Sequence, residues 1–342
     1  MDRLEYRMPI SAEILRQTEN AYGIKMVSIR QLFLGADRDT FVYKAESDRN
    51  ESYFLKIRTG EFASPSVLIP HLLFDKIGKH IIDPVKTADG RLFHKPGDCT
   101  VVLYPFISGK SGVEQPLGHA QWIQFGEVLR KIHDTALPPG TYAHSPGTPK
   151  IPLETFDSYR RTKIIKYMKE IRDIKSENEC VKQFTGLFEG KRAVIEKIIR
   201  RAEDLLDRIE GSEQEYCLCH GDIHAANLLL TREKEFYIVD WDTLILAPRE
   251  KDLMFIGGGV ADTWNTKETE ALFYKGYGNR EKVNQTLINY YRYERILVDL
   301  AEYYHQFFEK GVSVKSQKAI IGITESMFNL GGVADMAFGG DA

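Results

Sequence analysis

One stretch near the middle of the chain restricts its fold more than any other. It reads Cys219-His220-Gly221-Asp222-Ile223-His224-Ala225-Ala226-Asn227, then Leu228-Leu229-Leu230, and later Ile238-Val239-Asp240-Trp241-Asp242. Three oxygen-bearing side chains stand at fixed spacing: Asp222, Asn227 five residues on, and Asp240 thirteen beyond that. Between the last two the pattern predicts a tight hairpin. Leu228–Leu230 is one apolar strand, Thr231-Arg232-Glu233-Lys234-Glu235 the charged turn, and Phe236–Val239 the returning strand. A hairpin brings its ends back together, so Asn227 and Asp240 are expected to face one space. An amide carbonyl and a carboxylate converging there make a hard-oxygen site suited to Mg2+, which keeps waters and phosphate oxygens as its other ligands. Asp222 is placed to accept a proton from a hydroxyl approaching a phosphate. Phosphoryl transfer needs this combination, because positioning and charge neutralisation supply most of its catalysis. The competing reading, a buried strand whose acids cap turns, has to place three aligned oxygens by coincidence.

A chain of 342 residues is more than one small core needs, so two lobes are expected. Hydrophobic residues at 43% and charged residues at 28% are ordinary for a soluble globular protein. A formal net charge of −3 argues against a nucleic-acid binder, which carries a basic excess. The four cysteines, Cys99, Cys180, Cys217 and Cys219, have neither zinc-site spacing nor the density of a disulfide scaffold. Cys217 and Cys219 fall on one side of a predicted strand and read as core. Met-Asp-Arg-Leu-Glu-Tyr-Arg at the start lacks an apolar signal core, and no run approaches membrane-spanning length. A cytoplasmic protein with no membrane partner and access to nucleoside triphosphate is the expectation.

In chain order, residues 9–22 predict an amphipathic helix with Ser11 as N-cap. Ser28–Leu34, Phe41–Ala45 and Ser52–Arg58 predict three antiparallel strands, with Gly35 in the first turn. That turn either lies over phosphates or is only a hairpin. Lys56, among apolar strand neighbours, is a candidate phosphate clamp. Pro65–Ile77 predicts a helix with Ser64 as a possible cap. Its first turns carry no acid to meet Lys56, which leaves Glu61 as the candidate partner. Ile81–Lys86, Leu92–His94 and Thr100–Tyr104 are expected to complete the sheet. Pro105-Phe106-Ile107-Ser108-Gly109 reads as a hinge where backbone groups of Tyr104, Phe106 and Ile107 could read a purine, or as a plain strand end. From Leu117 onward the pattern is helical: 120–134, 156–176, 181–210, 266–276, 282–310 and 316–329. A loop rich in Pro, Gly, Ser and Thr spans 138–152, and Asp242–Pro248 is expected to be another. Asp252 reads as an N-cap or as a buried carboxylate accepting backbone N–H groups. The glycines of Ile256-Gly257-Gly258-Gly259-Val260 suit close packing or a bend. Arg295 and Asp299, one turn apart, read as a helix-surface ion pair of small value. Glu294, Asp242 and Trp264 are candidates for meeting a cationic substrate. The 331–342 tail, rich in small residues, is expected to be mobile.

The Asp-x-x-x-x-Asn spacing with a later Asp is that of the protein-kinase catalytic loop, with His-Gly-Asp for His-Arg-Asp and Asp-Trp-Asp for Asp-Phe-Gly. With Lys56 and Asp252, these changes resemble the aminoglycoside phosphotransferase family, a group shared with choline kinases. Cys-His-Gly-Asp-Ile-His-Ala, Ala-Pro-Arg-Glu-Lys-Asp-Leu-Met-Phe-Ile-Gly-Gly-Gly-Val and Tyr-Tyr-Arg-Tyr-Glu-Arg-Ile are nearest in wording to its spectinomycin-directed members. The resemblance implies an α+β, two-lobed, kinase-like fold. A small antiparallel-sheet lobe (1–106) would cover ATP, or GTP, and a larger helical lobe (107–342) would hold the acceptor. It also implies Asp222 as catalytic base, Asn227 and Asp240 as magnesium ligands, Lys56 as phosphate clamp, and His220 and Asp252 as supports of the catalytic loop. The acceptor would be a small cationic alcohol, an aminocyclitol first, with a metabolic amino alcohol or sugar as the alternative. A nucleotide-binding pseudokinase is disfavoured, since Asp222, Asn227 and Asp240 are all present.

Overall fold

Ser11 accepts the Ile14 N–H at 3.2 Å and so starts helix α1 (Ala12–Tyr22), which ends at Gly23 with φ +65°. The computed structural model describes residues 10–33, 39–137, 150–258, 264, 266–278, 280–309 and 312–340; the expected Gly35 turn lies outside them. Helix α1 covers a four-stranded antiparallel sheet in the order β1 (Met26–Leu32), β2 (Thr40–Ser47), β3 (Ser52–Arg58), β4 (Thr100–Pro105). Alternation along β3 decides what that sheet presents. Tyr53, Leu55 and Ile57 are buried with Tyr22, Met26, Tyr43, Val101 and Leu103 in the sheet's own core. Lys56 and Arg58 therefore stand on the opposite face.

The expected strands at 81–86 and 92–94 reduce to single bridges, Ile81 with Ile238 and His94 with Val101. Pro84, which has no N–H, and the Gly90 turn at φ +86° interrupt any ladder there. Helix α2 (Pro65–Ile77) has the expected bounds, but Ser64 lies in helical conformation and makes no capping bond. Pro at the first helical position makes a cap less necessary, since one orphan donor is missing.

The rest is mostly helical: β5 (Lys110–Ser111), α3 (His119–His133), α4 (Tyr159–Asp173), α5 (Glu179–Ile209), β6 (Tyr216–Cys219), β7 (Leu228–Leu230), β8 (Phe236–Ile238), β9 (Ile245–Pro248), α6 (Glu250–Leu253), α7 (Lys267–Tyr277), α8 (Gln285–Phe307), α9 (Val314–Ser326) and α10 (Val333–Gly339). Helix α8 packs against α4, α5, α6, α9 and α10. Its Leu287, Tyr293, Leu297 and Leu300 belong to one core that also takes Ile69 and Leu73 of α2.

Two expectations for this part fail. Residues 242–248 are not all loop, because Ile245–Pro248 pairs with β6 as β9. The three apolar residues that open β9 give it a strand's burial. The small-residue tail is helix α10 in its described part. Ala334 and Ala337 are buried, and Asn289 donates to Gly340 O at 2.8 Å. Small side chains there allow close helix packing rather than mobility. Among the described residues no helix is long and apolar enough to cross a membrane.

Candidate active site

Pairing of Cys219 with Ile245 sets the residues that follow β6 beside those that precede β9. The chain must turn sharply there, and Gly221 has φ +82°; a Cβ on it would lie 2.3 Å from Thr243 O. Any side chain would collide with backbone. The turn is held from behind by Asp252, which is fully buried at 0% exposure. Its Oδ2 accepts the His220 N–H at 2.8 Å and its Oδ1 the Gly221 N–H at 2.7 Å. His133 of α3 completes the clamp, with Nε2 3.1 Å from Asp252 Oδ2 and Nδ1 2.8 Å from the Tyr277 hydroxyl. Cys217 and Cys219 are buried beside it, as expected of core residues. His220 is also buried; its Nε2 meets Val239 O at 3.0 Å, tying the loop to the hairpin.

Asp222 emerges from this turn with a side chain 21% exposed, within reach of solvent. Its Oδ1 accepts from Arg295 at 2.5 Å. Its Oδ2 has longer contacts, 3.3 Å to Asn227 Nδ2 and 3.4 Å to His224 Nε2. Burial alone would raise the pKa of this carboxyl, but His224, Arg295 and His220 hold it well below the usual carboxylate range. Asn227 Nδ2 also donates to Asp222 O at 2.8 Å, which leaves the Asn227 carbonyl oxygen facing away from that bond.

The hairpin forms as predicted, with Leu228 opposite Ile238 and the Val239 N–H donating to Asn227 O at 3.0 Å. Asp240 follows in left-handed conformation at φ +64°, its side chain 52% exposed. Lys56 Nζ reaches across from β3 to Asp240 Oδ1 at 3.5 Å and to Asp242 Oδ2 at 2.7 Å, and Arg58 also reaches Asp242 Oδ2 at 3.0 Å. The partner of Lys56 is therefore Asp242, and Glu61 stays exposed in the turn before α2. Burial would lower the Lys56 ammonium, but Asp240 and Asp242 carry it above its ordinary value. Asp242 is pushed up by burial and more strongly down by Lys56 and then Arg58. The acid that the first turn of α2 lacks comes instead from the turn that follows the hairpin.

The substrate candidates are placed differently from expectation. Asp242 is committed to Lys56 and Arg58. Trp264 is buried at 7% exposure, its ring 5.2 Å from Trp122 and 5.4 Å from Phe125, so it is core. Glu294 is 3% exposed and paired with Arg161, and burial raises its pKa above the ordinary value. An amphipathic helix can bury a carboxylate if a cation is buried with it, and nothing local to Glu294 reveals the Arg161 contact. At the hinge, the Phe106 N–H donates to Ser52 O at 3.0 Å and Leu103 O accepts from Val85 at 2.8 Å. Alternation then turns the backbone of Tyr104 and Phe106 toward β3, and that of Pro105 toward the open edge. Arg295 and Asp299 are no isolated surface pair, since Arg295 touches Asp222. A signal existed in the apolar Ile296, Leu297 and Leu300, which put Arg295 at the border of the buried face.

The sequence model of the phosphotransferase enzyme family matches residues 29–294. Spectinomycin phosphotransferase APH(9)-Ia, solved in complex with ADP and spectinomycin, superposes with TM-score 0.88 at 32% identity, over 98% of this chain and 99% of that one. Its AMP-bound complex gives TM-score 0.84 at 32% identity, over 96% and 99%. An aminoglycoside phosphotransferase from Alicyclobacillus acidocaldarius, at 12% identity, TM-score 0.64 and 98% of each chain, shares the fold. No curated protein sequence matches. The α+β, two-lobed, kinase-like architecture expected of the sequence is the one found.

Proposed function

The chain belongs to the phosphotransferase enzyme family, and from that premise we propose that it is an ATP- and Mg2+-dependent kinase for a hydroxyl of an aminoglycoside or aminocyclitol antibiotic, spectinomycin first. The observation that carries the chemistry is that Lys56 reaches Asp240 at 3.5 Å and Asn227 reaches Asp222 at 3.3 Å, with the Val239 N–H bond to Asn227 O holding the two pairs at the same end of the hairpin. The 32% identity over nearly all of both chains supports the acceptor.

In this reading Lys56 binds the phosphates of ATP, and the outward edge of 104–107, with Ile107, receives the purine. The last strand of the sheet ends at Pro105, and the boundary between lobes is drawn after residue 106. Residues 1–106 then cover the nucleotide and 107–342 hold the acceptor. Asn227, through its carbonyl oxygen, and the half-exposed Asp240 form an oxygen set that fits Mg2+. Bound there, the ion supplies positive charge that the triphosphate needs in the transition state. Asp222 accepts the proton of the acceptor hydroxyl as that oxygen bonds to the γ-phosphorus and ADP departs. A carboxylate held ionised suits this step, because a loose phosphoryl-transfer transition state asks little of the base until late. Such an ATP-dependent reaction belongs in the cytoplasm, where it would confer antibiotic resistance.

Incubating the protein with ATP, Mg2+ and spectinomycin is expected to give a product heavier by one phosphoryl group in mass spectrometry. Unchanged spectinomycin, alongside a phosphorylated amino alcohol or sugar, would remove the antibiotic and keep the kinase.

A further inference from the structure

Helix α8 carries Arg295, Asp299 and Tyr303 at successive turns on one stripe. Arg295 Nη1 lies 2.5 Å from Asp222 Oδ1. Its Nε lies 2.8 Å from Asp299 Oδ1, an ion pair not aligned as a hydrogen bond. The guanidinium carbon sits 5.4 Å from the centre of the Phe255 ring, and the His224 ring centre is 5.9 Å from the same ring. Arg295 is thus fixed on one side by an acid of its own helix and on another by an aromatic face. Its remaining arm is aimed at Asp222.

We propose that Arg295 is a positioning residue for Asp222 and that Asp299 orients Arg295, so that Asp222 Oδ2 is the oxygen that takes the acceptor hydroxyl. The two carboxylate oxygens are not equivalent. Oδ1 is engaged at 2.5 Å by a charged donor, whereas the contacts of Oδ2 are 3.3 and 3.4 Å. A close charged bond is strong and directional, so it sets the rotation of the carboxylate about its Cβ–Cγ bond. The more loosely held oxygen keeps a lone pair for an incoming hydroxyl. A base is commonly held in place by a third group, and here an Arg–Asp pair from one helix serves. The inference rests on the assignment of Asp222 as base in the preceding section.

The test is a double-mutant cycle on R295M and D299N, with R295K as the conservative variant, read on whichever alcohol the wild-type enzyme phosphorylates. R295M is expected to lower kcat by about tenfold to a hundredfold, less than the 10²–10⁴-fold that a general base contributes. The KM for acceptor and the affinity for AMP-PNP are expected to hold. R295K should recover part of kcat. D299N should cost less, and R295M/D299N should be no slower than R295M, because Asp299 acts through Arg295. Wild-type kcat in R295M overturns the proposal. So does a D299N variant that chiefly raises acceptor KM and whose effect adds to that of R295M, for Asp299 would then bind substrate directly. Crystals of R295M supply a reading that needs no acceptor. The Asp222 carboxylate should be rotated or split between orientations, and an unmoved carboxylate overturns the relay even if spectinomycin proves the wrong substrate. Should R295M fail to fold, R295K and D299N carry the same comparison.

Discussion

Two clusters of charge, one at each end of the cleft, use the same residue types and fasten them in opposite ways. At the phosphate end, Lys56 and Arg58 come from β3 and Asp240 and Asp242 from the hairpin, so each contact joins the sheet lobe to the rest. At the base end, Asp222, Arg295 and Asp299 all belong to the helical lobe. In the first cluster acids hold a cation whose partner during turnover, in the function proposed above, is a triphosphate. Those contacts exist to be exchanged. In the second, cations hold an acid that, as the proposed base, must keep its position. Mutations at the phosphate end should therefore be read in nucleotide affinity, and those at the base end in kcat.

The largest effect expected on this view is that of Asp222→Asn. It should lower kcat by about 10²–10⁴-fold, the range for a general base, while AMP-PNP binding measured by calorimetry stays at the wild-type level. Loss of nucleotide affinity in this variant would merge the two clusters into one. Asp252→Ala comes next, and it undermines both ends. Two buried backbone N–H groups and the His133 imidazole would lose their acceptor. At about 1–3 kcal/mol for each buried group left unsatisfied, a loss of about 3–5 kcal/mol is expected in urea unfolding. A loss under about 1 kcal/mol, the net worth of one ordinary hydrogen bond, would show that the loop is held some other way. Smaller again is Lys56→Met. Removal of one charge-assisted contact to phosphate should weaken AMP-PNP binding by about 1.5–3 kcal/mol, roughly tenfold to a hundredfold. A kcat loss at unchanged nucleotide affinity would contradict the comparison.

The phosphate end was the more legible of the two, for a physical reason. Asn227, Asp240 and Lys56 lie in strands and tight turns, where a period of two and short connections fix what faces what. The local pattern therefore placed them well, and it placed α2 to the residue. It failed where a contact depended on distant packing. Asp242 meets Lys56 across 186 residues and Arg295 meets Asp222 across 73. Local spacing could show only that α2 lacked an acid and that Arg295 and Asp299 share a helix face. Trp264 failed for the opposite reason. As a candidate for meeting a cationic substrate it needed to face the cleft, yet it packs against Trp122 and Phe125. Large aromatic surface is driven inside wherever a pocket of its size exists. The Asp242–Pro248 segment looked like a loop because its short apolar run is closed by Pro248 and the partner that makes it a strand, β6, lies about thirty residues upstream.

The smallest effect sharpens the contrast from a neighbouring position. Glu294 precedes Arg295 on α8, and a step of about 100° around the helix turns it from the cleft into the core. There it pairs with Arg161, and burial still raises its pKa above the ordinary value. A carboxyl whose folded pKa exceeds its unfolded one binds its proton more tightly in the native state. Its contribution to stability is complete below the unfolded pKa, about 4.3, and is lost as pH rises through the folded value. Glu294→Gln has no proton to lose there. The stability difference between this variant and the wild type should move in the variant's favour between pH 4 and neutrality, while kcat is unaffected. Taking the difference cancels the other carboxylates, whose lowered pKa values act in the opposite sense. A difference that stays flat with pH would mean that Arg161 fully offsets the burial of Glu294. Arg161–Glu294 would then be as well matched inside the core as Arg295–Asp222 is at the edge of the cleft, and α8 would bear two equally settled pairs rather than one settled and one strained by burial.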